Sequence, residues 1–261
     1  MSLLVPGLLA TSVLFASGVR QFNAFQNGQI RDYWAWGLAC VGLLLTVALV
    51  ALGFEANGGR PTTGLMGSLL GALLLLIVIG ASLHQPVNAL LIGVAPLTGL
   101  FTLLASTLTP ESTLGPLNLE TVIHIVASIV AYGSVAFAGT LSLLVSWHHS
   151  QLKKRPLSPW VSVLPPLDAM EHLFLRTVQI AWWTLSVALI TGVLYVADFW
   201  AQQLAHKTAL SVLAWTGMTL ALWQHFRDGG VTRHMRRTAV WAAVLLCVGY
   251  LGSKAILEFL L

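Results

Sequence analysis

The stretch Glu120-Thr-Val-Ile-His-Ile-Val-Ala-Ser-Ile-Val-Ala-Tyr-Gly133 opens a run with no Asp, Glu, Lys or Arg between Thr121 and Leu152. About 20 consecutive apolar residues are what a helix needs to cross the hydrocarbon core of a bilayer. Lipid offers no partner to backbone N–H and C=O groups, so the segment must satisfy them itself as a helix. One ionisable side chain, His124, lies about one helical turn inside the run. An imidazole at that depth is costly and faces protein or a cavity. Either it forms a hydrogen bond between helices or it holds a ligand.

The rest of the chain follows the same pattern. Of its 261 residues, 57% are hydrophobic and 8% charged, against about 25% charged in soluble domains. Apolar windows fall at 2–19, 33–54, 63–83, 88–108, 121–147, 174–197, 208–226 and 238–259. They predict an all-α fold, a polytopic bundle of about eight transmembrane helices in a single membrane domain, 1–261. Pro6 and Pro96 lie inside windows, where neighbouring helices must accommodate them. The first run precedes its first basic residue, Arg20, so it reads as a span and not as a cleaved signal.

Alternating loops let charge set the orientation. Ten of the thirteen basic residues, among them Arg20, Arg31, Lys153, Lys154, Arg155, Arg233, Arg236 and Arg237, stand in or beside one set of loops. Only Arg60, Lys207 and Lys254 stand on the other side. The positive-inside rule then predicts that 148–173 and 227–237 are cytoplasmic and both termini external. The same bias accounts for the basic balance without a nucleic-acid partner; membrane lipid is the expected surrounding.

Several chemistries have no machinery here. Cys40 and Cys247 stand alone in apolar runs, with no CxxC or CxxCH, which excludes a thiol redox pair, covalent haem attachment and a structural zinc. HExxH, GxSxG and P-loop motifs are absent, and Asp and Glu together number nine. Hydrolysis and phosphoryl transfer are therefore not expected, and a non-enzymatic role is.

Four groups of polar residues remain. His124, Ser128 and Tyr132 recur every four residues on one stripe. Beside that stripe Ala127, Ala131, Ser134, Ala138 and Ser142 form a small-residue edge of the kind that packs against protein. His225, in Leu222-Trp-Gln-His-Phe-Arg227, continues a smooth side made by Ser211, Ala214, Met218 and Ala221. It is an interfacial histidine beside Trp223 and Arg227, or a second site at the opposite depth. His206 falls in a short outer loop, while His148, His149, His172 and His234 fall among cytoplasmic basic residues as a lipid-facing charge belt. Lys254 shares a face with Glu258; it snorkels or pairs there, or receives a carboxylate. Most tryptophans sit near span ends, as an interfacial belt would have them.

The serial order of several segments resembles the cytochrome c assembly family of haem-handling membrane proteins (Ccs/Ccm type), in its YpjD-like and HemX-like inner-membrane branch. The segments are Val122-Ile-His124, Ala131-Tyr132, Pro165-Pro-Leu-Asp-Ala-Met-Glu171 and Thr191-Gly-Val-Leu-Tyr195. Then come His206-Lys-Thr-Ala-Leu-Ser211, Leu222-Trp-Gln-His225 and Gly249-Tyr-Leu-Gly-Ser253. The resemblance covers 121–261 and implies non-covalent b-type haem in a bacterial inner-membrane protein. It implies His124 as an outer axial ligand and His225 as a ligand deeper toward the cytoplasm. The family's outer tryptophan-rich loop is represented by Phe199-Trp200 and His206-Lys207, which makes Trp200 a haem contact and His206 a replacement outer ligand. Lys254 becomes a partner for a haem carboxylate, and other membrane proteins of cytochrome assembly become partners. A b-type haem oxidoreductase and a cofactor-free transporter or partner subunit are the competing readings.

Overall fold

The computed structural model describes residues 3–58, 62–85, 87–107, 119–153, 164–195 and 202–249, without the side chains of Thr63, Tyr195 and 202–207. Among them the chain forms α-helices and no strand, so the all-α expectation holds. The helices are α1 (Leu4–Gln26), α2 (Tyr33–Ala56), α3 (Thr63–His84), α4 (Leu91–Thr107), α5 (Leu119–Leu152), α6 (Leu167–Tyr195), α7 (Gln202–Asp228) and α8 (Arg233–Cys247). A short 3-10 turn, Asn88–Leu90, leads into α4.

Their ends follow local chemistry. Asp32 accepts from the Trp34 amide, Thr62 from Leu65 and Thr232 from Met235, each capping orphan donors of a first turn. Gly28, Gly58 and Gly229 take the left-handed conformation just past α1, α2 and α7. Five stretches, Tyr33–Ala56, Gly64–His84, Asn88–Thr107, Leu119–Leu152 and Leu167–Leu194, are long and apolar enough to cross a membrane. The chain is thus a polytopic helical membrane protein. The other three helices hold more polar residues: Arg20 and Gln21 in α1, His206 and Lys207 in α7, and Arg233, Arg236 and Arg237 in α8.

The chain divides into two compact units, residues 1–117 with 148–166, and residues 118–147 with 167–261. In the first, α1 packs on α4 and α2, and α3 packs on α4. Glycines allow close approach: a Cβ at Gly64 would lie 2.7 Å from the Ala105 Cα, and one at Gly18 would lie 2.7 Å from the Pro96 ring. Hydroxyls tie neighbouring backbones: Thr98 donates to the Gly71 carbonyl and Thr11 to that of Gly99. Contacts at rising positions on one helix meet falling positions on the next, so neighbours run antiparallel. At the end where Arg20 meets Asp32 at 3.1 Å, Arg31 donates to the Ser82 carbonyl.

In the second unit α7 lies between α6 and α8. The small-residue edge of α5 faces protein as expected: Ala131, Ser134, Ala138 and Ser142 are buried. A Cβ on Gly139 would lie 2.8 Å from that of Ala243, and Ser142 donates to the Arg236 carbonyl at 2.7 Å. Between α6 and α7, Trp182 donates to Thr219 and Trp215 donates to Ser186, both at 2.7 Å. The two indoles stack between these bonds, 6.0 Å apart and 22° from parallel. This double rung lies far from any helix end, so an interfacial belt does not describe Trp182 and Trp215. It does describe Trp34 and Trp223, exposed near helix ends, whereas Trp183, also exposed, stands at the middle of α6 beside Trp182.

Candidate functional site

His124 projects from α5 onto α6. Its Nδ1 lies 3.1 Å from the Thr191 hydroxyl, and its Nε2 lies 3.4 Å from the Ser128 hydroxyl on its own helix. Thr191 is also within bonding distance of the Val187 and Ala188 carbonyls, at 3.0 and 3.1 Å. With the Thr191 hydrogen on one of these carbonyls, its oxygen is an acceptor for His124 Nδ1–H. In that arrangement the lone pair stands on Nε2, toward the Ser128 hydroxyl. The next residue, Gly192, makes room for the ring: a Cβ there would lie 3.1 Å from His124 Cε1. One turn further along α5 from Ser128, the Tyr132 hydroxyl lies 3.4 Å from that of Ser211 on α7. The predicted stripe thus joins three helices.

His225 reaches the same electronic state by a different route. Gly229, at φ +75°, ends α7, and its N–H donates to the His225 carbonyl at 2.9 Å. The reversed chain brings the Gly230 carbonyl to 3.0 Å from the ring Nδ1. A carbonyl cannot donate, so Nδ1 carries the hydrogen and Nε2 the lone pair. The half-buried ring meets Phe226 edge-on at 5.7 Å. Behind it Ala221, Met218, Ala214 and Ser211 are buried, as the smooth side predicted. Arg227 stacks over Trp223 at 5.5 Å and bonds Asp228 at 2.8 Å. That hydrogen bond holds the Asp228 carboxyl below the ordinary carboxylate range, so it stays ionised near neutrality.

The two histidines are not a pair. Tyr132 anchors the His124 stripe at Ser211, and His225 lies 14 residues further along α7, about 21 Å at 1.5 Å per residue. No single iron spans that distance. Each Nδ1 is held by an oxygen, the arrangement that orients a metal-binding histidine, and the His124 Nε2 meets the Ser128 hydroxyl at 3.4 Å.

A family model described as cytochrome C assembly protein matches residues 29–261. The chain belongs to the cytochrome c assembly protein family. The match reaches well beyond 121–261, into α2, α3 and α4. Inner membrane protein YpjD of Escherichia coli is 28% identical over 138 residues, which is 53% of this chain and 52% of that protein. The chain therefore spans about half the length of the Escherichia coli relatives it matches. Protein HemX of Brevibacillus brevis is 25% identical over 254 residues, 94% of this chain and 92% of that one. A 28.8 kDa protein of Azospirillum brasilense, described as uncharacterized and encoded in a nifR3-like 5' region, is 26% identical across 99% of this chain and 98% of its own. No solved structure matches.

Within this family frame some predicted positions move. His206 belongs to helical backbone, because α7 begins at Gln202 and not near residue 208; its side chain is outside the described residues. Trp200 and Lys254 lie outside them altogether. His148 and His149 sit in the last turns of α5, which runs on to Leu152 without a break. His148 is 3% exposed, so it does not belong to a lipid-facing charge belt. The apolar window ended at Trp147, but uncharged Ser150, Gln151 and Leu152 carry no helix-stopping signal. His172, in the second turn of α6, and His234, in the first turn of α8, are exposed as that belt requires, and His84 is exposed at the end of α3. Thr191 and Gly192 appeared in the sequence only as part of the family likeness; their proximity to His124 is a tertiary fact.

Proposed function

We propose that this chain is a non-enzymatic inner-membrane protein that binds b-type haem non-covalently at two separate histidines. It serves haem handling or delivery in c-type cytochrome biogenesis, alongside other membrane proteins of that assembly. On this reading all eight helices cross the bilayer and both termini are external, so His124 lies near the outer face and His225 near the cytoplasm.

The observation that carries the reading is the shared tautomer of the two rings. An iron ligand must be a neutral imidazole with a nitrogen lone pair to give; both Nδ1 contacts put that lone pair on Nε2, where at His124 the iron would displace the long 3.4 Å approach of Ser128. Family membership supports haem as the group in question, and the relative called HemX is in keeping with it. When bound, haem supplies an iron that accepts one imidazole and a largely apolar plane with two carboxylates. This chain's part is to orient each ring, hold its proton on Nδ1 and keep an apolar surround. The separation of about 21 Å between the level of Ser211 and His225 disfavours the oxidoreductase reading, which needs histidines paired across one iron.

The test is haem stoichiometry by pyridine haemochrome assay on protein from haem-replete cells, in parent, His124→Ala, His225→Ala and the double variant. Each single variant should lose part of the haem and the double variant nearly all. A folded double variant with parental haem content, or a parent that stays colourless after haem loading, defeats the proposal.

A further inference from the structure

Arg236, in the first turn of α8, is 7% exposed. Burying a guanidinium is costly unless its donors are met. Here they are met incompletely. Nη1 lies 3.4 Å from the Val231 carbonyl and 3.5 Å from Glu171 Oε1, both long contacts. Nε is buried with no hydrogen-bond partner. A guanidinium that served only to fasten α8 to α6 would use its planar fork fully on the carboxylate.

Its position relative to His225 is informative. The His225 ring is held by the Gly230 carbonyl and the Arg236 side chain by the carbonyl of Val231. Consecutive residues have Cα atoms about 3.8 Å apart. One short loop therefore supplies, from consecutive residues, the carbonyl that holds the His225 ring and the carbonyl that meets a buried cation with an unused Nε donor. A metalloporphyrin combines an iron that wants the imidazole with carboxylates that want the cation.

We infer that Arg236 is the carboxylate receptor of the inner site, taking a propionate of the haem that His225 ligates, with Glu171 as the resting counter-ion that the propionate displaces. The inference rests on the haem reading of His225. Charge-assisted, forked hydrogen bonds are the strong ones, so the carboxylate should matter to affinity. Glu171 is partly exposed, at 25% of its side chain, and leaves the guanidinium without burying a new charge. Its role predicts an unusual sign: removing its charge should tighten ligand binding.

The experiment titrates purified protein in lipid nanodiscs with ferric protoporphyrin IX and with its dimethyl ester. A His124→Ala background isolates the inner site. The background protein should bind the diacid about tenfold or more tighter than the ester. Arg236→Gln should erase that preference while leaving the Soret position unchanged, because His225 still ligates. Arg236→Lys should restore part of it, and Glu171→Gln should enlarge it. Helix content by circular dichroism establishes that each variant is folded. A preference that survives Arg236→Gln overturns the assignment. So does a Glu171→Gln variant that weakens diacid binding, which would mark a structural ion pair. Failure of the underlying reading looks different: His225→Ala then leaves both affinities and the Soret band unchanged.

Discussion

Thr191→Val is nearly isosteric and removes the side-chain oxygen that meets His124 Nδ1. The lost contact is 3.1 Å long, and the Ser128 hydroxyl approaches the other ring nitrogen at 3.4 Å. The Val187 and Ala188 carbonyls lose only a supplementary partner, so no buried group is stranded. An interhelical hydrogen bond within a membrane contributes about 0.6 kcal/mol on average, so α5 and α6 should remain packed. Ligation should suffer more, because an outer partner that orients a metal-binding histidine is typically worth 10–100-fold in affinity, about 1.4–2.8 kcal/mol. The assay is a haem titration followed at the Soret band in a His225→Ala background, with Thr191→Ser restoring the hydroxyl. Valine should weaken binding by about 10–100-fold and serine should stay close to parent. Equal affinities for valine and parent, in a protein whose His124→Ala form binds none, would refute the orienting role of Thr191.

Single cysteines at Ser158 and Asn118, in a background lacking Cys40 and Cys247, should label oppositely with an impermeant thiol reagent; labelling of position 158 from outside reverses the orientation. Gly229→Ala places a side chain at φ +75° with open space around its Cβ, so the backbone alone pays about 1–2 kcal/mol. The displaced Gly230 carbonyl should then weaken haem at His225 and not at His124, as separate titrations of the two sites would reveal. Trp182→Phe and Trp215→Phe should each destabilise the second unit by about 1 kcal/mol through a lost indole bond. Their double-mutant cycle in detergent unfolding should give a coupling of about 0.5–1.5 kcal/mol from the stacked rings; zero coupling would dissolve the rung.

What the sequence disclosed was periodic or compositional. The apolar window 121–147 announces a helix because it lacks charge, and the burial of Ala131, Ser134, Ala138 and Ser142 follows from their spacing. Asp32, Thr62 and Thr232 mark starts through chemistry local to one turn. The hidden features depend on residues far apart in the chain. His124 and Thr191 are separated by 67 positions and Ser142 and the Arg236 carbonyl by 94, and no local pattern encodes such a meeting. Trp182 and Trp215 show the same limit, since an indole in a belt and one in a rung have identical neighbours in sequence. His148 was misplaced because hydropathy fades before the helix does.

The central claim is that His124 holds haem iron. Its most direct test is the visible spectrum of His124→Ala in the His225→Ala background after haem loading, with and without added imidazole. Alanine is a good helix former, so α5 persists and the void where the ring stood can admit the small molecule. The account predicts a Soret band lost or shifted by the substitution and partly restored by imidazole. A spectrum identical to that of the His225→Ala parent, and indifferent to imidazole, would leave His124 as a hydrogen bond between α5 and α6 and contradict the account.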